Sequence, residues 1–206
     1  LVVFLMGDLI HNEDITRFIS LEELEGVVKE QMFEVCIPAL QNFFANMLRN
    51  FERVDVVCVR GNHGSMGKMH ATTTNLDDVI YNFLALSFKE NPRIKFHLTD
   101  KFYQLYKIWG WRFLVVHGDT IKMYLNLPFY GITTRAMRWL GSIGEFDYLC
   151  LGHFHIATMF DWNNITIFIN GTFLSSDEWV LKRLGLSSSI CQVLLGVHRK
   201  RGVSFF

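Results

Sequence analysis

An excess of charge of either sign is missing from this chain. Its 206 residues carry 20 lysines and arginines against 20 aspartates and glutamates, so with histidine neutral the net charge is zero. That balance excludes the global electrostatic grip of a protein that coats duplex backbone without sequence preference, and leaves a nucleic-acid substrate to be held by metal and local contacts. Proline is scarce, at three residues, and no Pro/Gly/Ser linker, internal repeat or low-complexity tract divides the sequence. One domain over residues 1–206 is therefore expected. Cys36, Cys58, Cys150 and Cys191 form no CxxC pair, which speaks against a disulfide framework or a thiolate zinc site. Cys58 and Cys150 lie in apolar runs where a small buried hydrophobe fits, and a reducing cytoplasm is the expected location. No apolar stretch approaches the roughly 18–20 residues that span a bilayer. The opening LVVFLM lacks a basic lead-in and a cleavage pattern, so it reads as a buried strand and no membrane association is expected.

What is present is a generous interior: 50% of residues are apolar and 15% aromatic, including 19 phenylalanines, the composition of a globular protein with packed sheets. Leu1 to Met6 and Val54 to Val59 are short continuous apolar runs of the kind buried on both faces of a parallel sheet. Between them, Leu21 to Asn50 carries apolar residues at helical spacing, and Pro38 is expected to kink or divide that helix. A second helix is expected over Asn75 to Lys89, stopped by Asn91-Pro92. Strands dominate afterwards: Ile94 to Leu98, Phe102 to Ile108, Trp111 to Val116, Tyr148 to Leu151, Ile156 to Phe160, Ile165 to Ile169 and Ile190 to Val197. Hairpin turns are expected at Trp109-Gly110 and Trp162-Asn163-Asn164, and a short helix over Thr133 to Leu140. The basic run His198 to Arg201 suits either phosphate binding or the guarding of an exposed strand edge.

Four strand tips end in glycine plus Asp, Asn or His: GDLIH from Gly7, RGNHG from Arg60, VVHGD from Val115 and LGHFH from Leu151. Each block alone is weak, since a lone histidine is more commonly a hydrogen-bonded core or surface residue than a ligand. The ordered set is another matter, because ligands bind beyond the carboxyl ends of the strands in open α/β sheets and one pocket can collect all four tips.

In that order the blocks resemble the second to fifth motifs of the calcineurin-like metallophosphoesterases, which read D-x-H, GD, GNH, H and GH-x-H. The match spans Gly7 to His155. The wording, with Pro128-Phe129-Tyr130-Gly131 and Asn170-Gly171, resembles virus-encoded and environmental members, and the GD-x-x-H opening resembles the Mre11/SbcD-type nucleases. The resemblance implies a four-layer α/β/β/α sandwich and a divalent metal pair, with Mn²⁺ the first expectation and Zn²⁺, Fe²⁺, Ni²⁺ or Mg²⁺ as substitutes. By the same resemblance Asp8 is the bridging carboxylate. Asn62, His117 and His153 serve one metal, and His155 turns to the other. The chemistry suits that set, since two cations need a bridging carboxylate, hard-to-borderline ligands and a shared water made nucleophilic at neutral pH. In His-Phe-His, an extended backbone would send both imidazoles to one side. His63 matches the histidine beside the scissile phosphate, able as imidazolium to stabilise the transition state or protonate the leaving oxygen. Asp119 reads as orienting a ligand histidine or its loop. His11 lies either near the site or on the surface as a cap, and Arg60 either touches phosphate or is a solvated loop residue.

No D-x-H occurs in these 206 residues. The family's first motif would precede residue 1, so the chain is expected to be N-terminally truncated relative to the pattern. One metal then keeps Asp8, Asn62, His117 and His153, whereas the other keeps only Asp8 and His155. The strand that normally flanks the GD strand would be missing too, leaving Val2 to Leu5 as an apolar edge that invites a homodimer. Three functions follow: a phosphodiesterase or nuclease using a metal-bridging hydroxide, a small-nucleotide phosphatase or cyclic phosphodiesterase, or an inactive scaffold. Trp109, Phe129 and Tyr130 are candidates to stack on nucleic-acid bases, and equally candidates for ordinary packing.

Overall fold

A computed structural model describes residues 1–12, 26–66, 74–174 and 189–205. The architecture is mixed α/β, and the chain falls into two compact units, Leu1–Phe102 and Tyr103–Phe206.

The first unit is built on a three-stranded parallel sheet of β1 (Val2–Leu5), β2 (Val54–Cys58) and β3 (Ile94–His97), in that order. All five residues of β2 are buried, as its unbroken apolar run requires of a central parallel strand. A helical stretch precedes β2: α1 (Val28–Glu30), a π-helical turn over Gln31–Cys36, and α2 (Ile37–Asn50). As expected, the stretch divides beside Pro38, which sits in the first turn of α2 just after the wider π turn. Leu21 and Leu24, part of the expected helix, lie outside the described residues. Helix α3 (Leu76–Ser87) is capped by Asn75, whose side chain accepts from the Asp77 N–H. Phe44, Leu48, Ile80, Tyr81 and Leu84 from the helices pack with Val54, Val56 and Cys58 of β2 into one core.

The second unit holds a five-stranded sheet ordered β4 (Tyr103–Ile108), β5 (Trp111–Val116), β6 (Tyr148–Leu151), β8 (Ile165–Ile169), β7 (Thr158–Trp162). The central three strands run parallel, and the flanking β4 and β7 are antiparallel hairpin partners. Helix α4 (Phe129–Ser142) lays Ile132, Ala136 and Trp139 against Leu114, Leu149, Leu151 and Ile167. It starts four residues ahead of the expected Thr133, because Pro128 takes the N-cap position and pre-sets the first turn. β7 begins two residues after Ile156 and keeps Trp162 inside the strand. The turn is Asn163-Asn164 alone, both left-handed, as a tight two-residue hairpin demands.

The expected strand Ile190 to Val197 is largely irregular. It consists of a bridge from Thr172 to Ile190 and a short strand β9 (Gly196–His198), which pairs with β10 (Gly202–Phe205). Arg199, Lys200 and Arg201 therefore form a hairpin turn rather than a basic strand edge. No helix among the described residues is long and apolar enough to cross a membrane.

Candidate functional site

In the first unit the tips of β1 and β2 are pressed together. Gly7 has φ +83°, and a Cβ there would collide with the backbone of Gly61; a Cβ on Gly61 would in turn strike the Asp8 carboxylate. Only glycine permits that approach. Asp8 itself is left-handed, at φ 54°. Its Oδ1 accepts the His63 N–H at 2.8 Å, so the GD and GNH blocks are joined through the carboxylate expected to bridge metal. Asn62 precedes His63 in this loop and is half-buried.

His11 belongs to this cluster. Its Nδ1 lies 3.0 Å from Nδ1 of His63, with the two rings edge to face at 4.5 Å. One nitrogen must donate and the other accept, so the pair carries at least one neutral imidazole. Asn12 holds the loop from behind, donating its backbone N–H to the His63 carbonyl and its side-chain amide to the Ser65 carbonyl. Arg60 is not a solvated loop residue. It is mostly buried, with Nε 3.2 Å from Asp78 Oδ2 and Nη2 donating to the Thr99 carbonyl.

Sequence reasoning missed the residue that organises the cluster. Asp77, at the start of α3, is fully buried and accepts three backbone N–H groups, from Asp8 (3.1 Å), Leu9 (3.1 Å) and Gly61 (2.8 Å). Burial is the largest influence on its carboxyl and pushes it up to about 6, against those hydrogen bonds and with the Asp8 carboxylate adding to the rise. Asn75 ties the same corner by donating to the Gly61 carbonyl at 2.8 Å. Tyr81 completes it, accepting the Gly7 N–H and donating to the Val59 carbonyl at 3.0 Å. The signal in the sequence was Asn75-Leu76-Asp77, a helix start rich in groups that seek backbone N–H donors.

In the second unit, His117 follows β5 and is buried, while His153 follows the neighbouring parallel strand β6. Their rings meet edge to face with centroids 5.1 Å apart. The Gly152 N–H donates to the His117 carbonyl at 2.9 Å, which locks the two tips in register. Gly118 adopts φ +120°, and a Cβ there would press on Phe154 and His153. His153 and His155 have φ 63° and 57°, so the His-Phe-His segment is not the extended strand end the alternation argument assumed. Two left-handed residues fold it into a turn, a strained choice for histidine that packed surroundings must hold. His155 is half-buried, and Asp119 is exposed without a hydrogen bond to the histidines.

No family model matches the chain. No curated protein sequence does either. Solved structures do resemble it. The Vps29 of Entamoeba histolytica in complex with zinc is 17% identical, over 66% of this chain and 66% of that one, with a TM-score of 0.35. The Vps29 of Cryptosporidium parvum is 14% identical over 85% of this chain and 75% of that one, with a TM-score of 0.40. An archaeal phosphodiesterase is 13% identical over 66% of this chain and 74% of that one, with a TM-score of 0.35.

Proposed function

We propose that this chain is a calcineurin-like metallophosphoesterase, a metal-dependent phosphoester hydrolase acting as a phosphodiesterase or nuclease. The four-layer α/β/β/α sandwich is the fold that goes with this reading, as one domain. The observation that carries it is the pairing of motif blocks inside each unit. Asp8 and the Asn62-His63 loop stand hydrogen-bonded at the tips of adjacent parallel strands, and His117 and His153 stand ring to ring at the tips of another such pair.

The donor set fits divalent metal: a carboxylate, an amide oxygen and imidazole nitrogens suit borderline cations such as Mn²⁺, Fe²⁺ or Zn²⁺. In this reading Asp8, Asn62, His117 and His153 hold one ion. Asp8 and His155 contribute to a second. When bound, the metal supplies Lewis acidity at a phosphoryl oxygen and a water that is nucleophilic at neutral pH.

The chain's own residues supply positioning and a proton. His63 is anchored by its N–H on Asp8, which aims its ring across the site, with Nε2 3.8 Å from Asp8 Oδ2. As imidazolium it donates Nδ1–H to a neutral His11 and keeps the Nε2 proton for the leaving oxygen, so His11 fixes the orientation of the acid. Asp77 and Tyr81 hold the two tips at the spacing that His63 and Asp8 need.

Hydrolysis of bis-p-nitrophenyl phosphate with Mn²⁺ tests this. The parent should turn over, His63→Ala should lose roughly 10²- to 10⁴-fold in kcat while still binding metal, and His153→Ala should lose both. A folded parent that is inert with every divalent metal would instead support the scaffold.

A further inference from the structure

Two sequence features ninety residues apart, an exposed tryptophan and a basic run, meet on the second unit. Trp109 occupies the hairpin turn between β4 and β5 with φ 54° and is 64% exposed. Asn or Gly suits that left-handed position better than a bulky indole. The turn of the β9–β10 hairpin lies against it. The Trp111 indole N–H donates to the Arg199 carbonyl at 3.3 Å, and the Val203 N–H donates to the Tyr148 hydroxyl at 2.9 Å, which docks that hairpin on the sheet.

The result places the Arg199 guanidinium over the Trp109 ring, 5.9 Å from its centroid, beside an open depression of about 410 Å³ lined by Trp109, Trp111, Arg112, Asp147 and Arg199. Arg112 is committed to Asp147 and Glu145. Arg199, Lys200 and Arg201 are exposed and pair with no carboxylate among the described residues, and Lys107 stands exposed on the cross-strand position beside Arg112. This surface sits at the starts of β5 and β6, roughly 20 Å along the strands from the histidines at their ends, at about 3.3 Å per residue.

We propose that this surface binds single-stranded nucleic acid, with a base stacked on the open face of Trp109 and adjacent phosphates held by Arg199, Lys200 and Arg201. At 5.9 Å the guanidinium is too near the indole for a base to enter between them, so Arg199 backs one face and leaves the other for stacking. An acidic peptide would use the cations and have no use for the bare indole. An anionic membrane would call for a broader apolar rim than one tryptophan. The chain's zero net charge is compatible, because the cations are concentrated where the aromatic surface is.

The test is fluorescence anisotropy of a labelled oligothymidylate in EDTA, so that metal and hydrolysis play no part. The parent should bind saturably, and His153→Ala should bind equally well, which separates this inference from the hydrolase reading. Trp109→Asn, which suits the turn and should leave the protein as stable as the parent, should bind roughly 5- to 100-fold more weakly. Trp109→Phe should retain most of the affinity. Lys200→Ala with Arg201→Ala should reduce the slope of log affinity against log salt by about 1.4, at about 0.7 per lost phosphate contact. The proposal is overturned if folded parent does not bind the oligonucleotide, if Trp109→Asn binds like the parent, or if phosphatidylserine vesicles or polyglutamate are bound more tightly than the oligonucleotide.

Discussion

Asp77 shows how a single carboxylate can hold a site without belonging to its ligands. Its three N–H donors come from two loops that are separated in sequence but share its oxygens. In metal-free protein its pKa is raised to about 6 from an ordinary 3.8, chiefly by burial. A raised carboxyl contributes stability that is fully present below the unfolded value and is lost as pH rises through the folded one. Asp77→Asn does not titrate, so in EDTA the stability of the parent relative to this variant should fall by roughly 2 kcal/mol between pH 4 and 7, at about 1.4 kcal/mol per pKa unit. Urea unfolding across that range measures it, and a constant difference would refute the assignment. Tyr81→Phe leaves the Gly7 N–H and Val59 carbonyl unsatisfied in a buried corner and should cost about 1–3 kcal/mol. Asp8, Asn62, His63, His117 and His153 stood out in the sequence as candidates, because their blocks follow apolar runs. Asp77 did not, because its partners are backbone groups 16 to 69 positions away and only the fold brings them near.

At the level of elements, most strands were legible from short apolar runs closed by glycine: β2, β4, β5, β6 and β8 begin and end within a residue or two of expectation. The division of the helical stretch at Pro38 was legible, whereas the π turn ahead of it was not, because no periodicity announces one. The left-handed His153 and His155 were hidden for a related reason, since hydrophobic spacing reports which face a residue takes and not the sign of φ. β9 and β10 are too short and irregular to stand out. Among the described residues β1 pairs with β2 alone. We propose that the apolar strand Val2 to Leu5 supports a homodimer. Sedimentation across a concentration series should show reversible self-association that Val2→Lys weakens, because a charged residue on an edge strand opposes pairing. A parent that stays monomeric throughout would remove the proposal.

For the molecule as a whole, the functional reading joins ligands contributed by both units into a single metal centre. If the native state alone binds the ion, Mn²⁺ at about 100 times its dissociation constant should raise the unfolding free energy by about 2.7 kcal/mol, and EDTA should reverse the gain. The order of motifs along the chain is what made this reading available in the sequence. Equilibrium Mn²⁺ binding, followed by electron paramagnetic resonance on Asp8→Asn and on His153→Ala, decides between one centre and two unrelated clusters. Shared ligation predicts that either substitution, though in different units, removes the tight ion to the same extent. Tight Mn²⁺ binding that survives Asp8→Asn while disappearing in His153→Ala would contradict it.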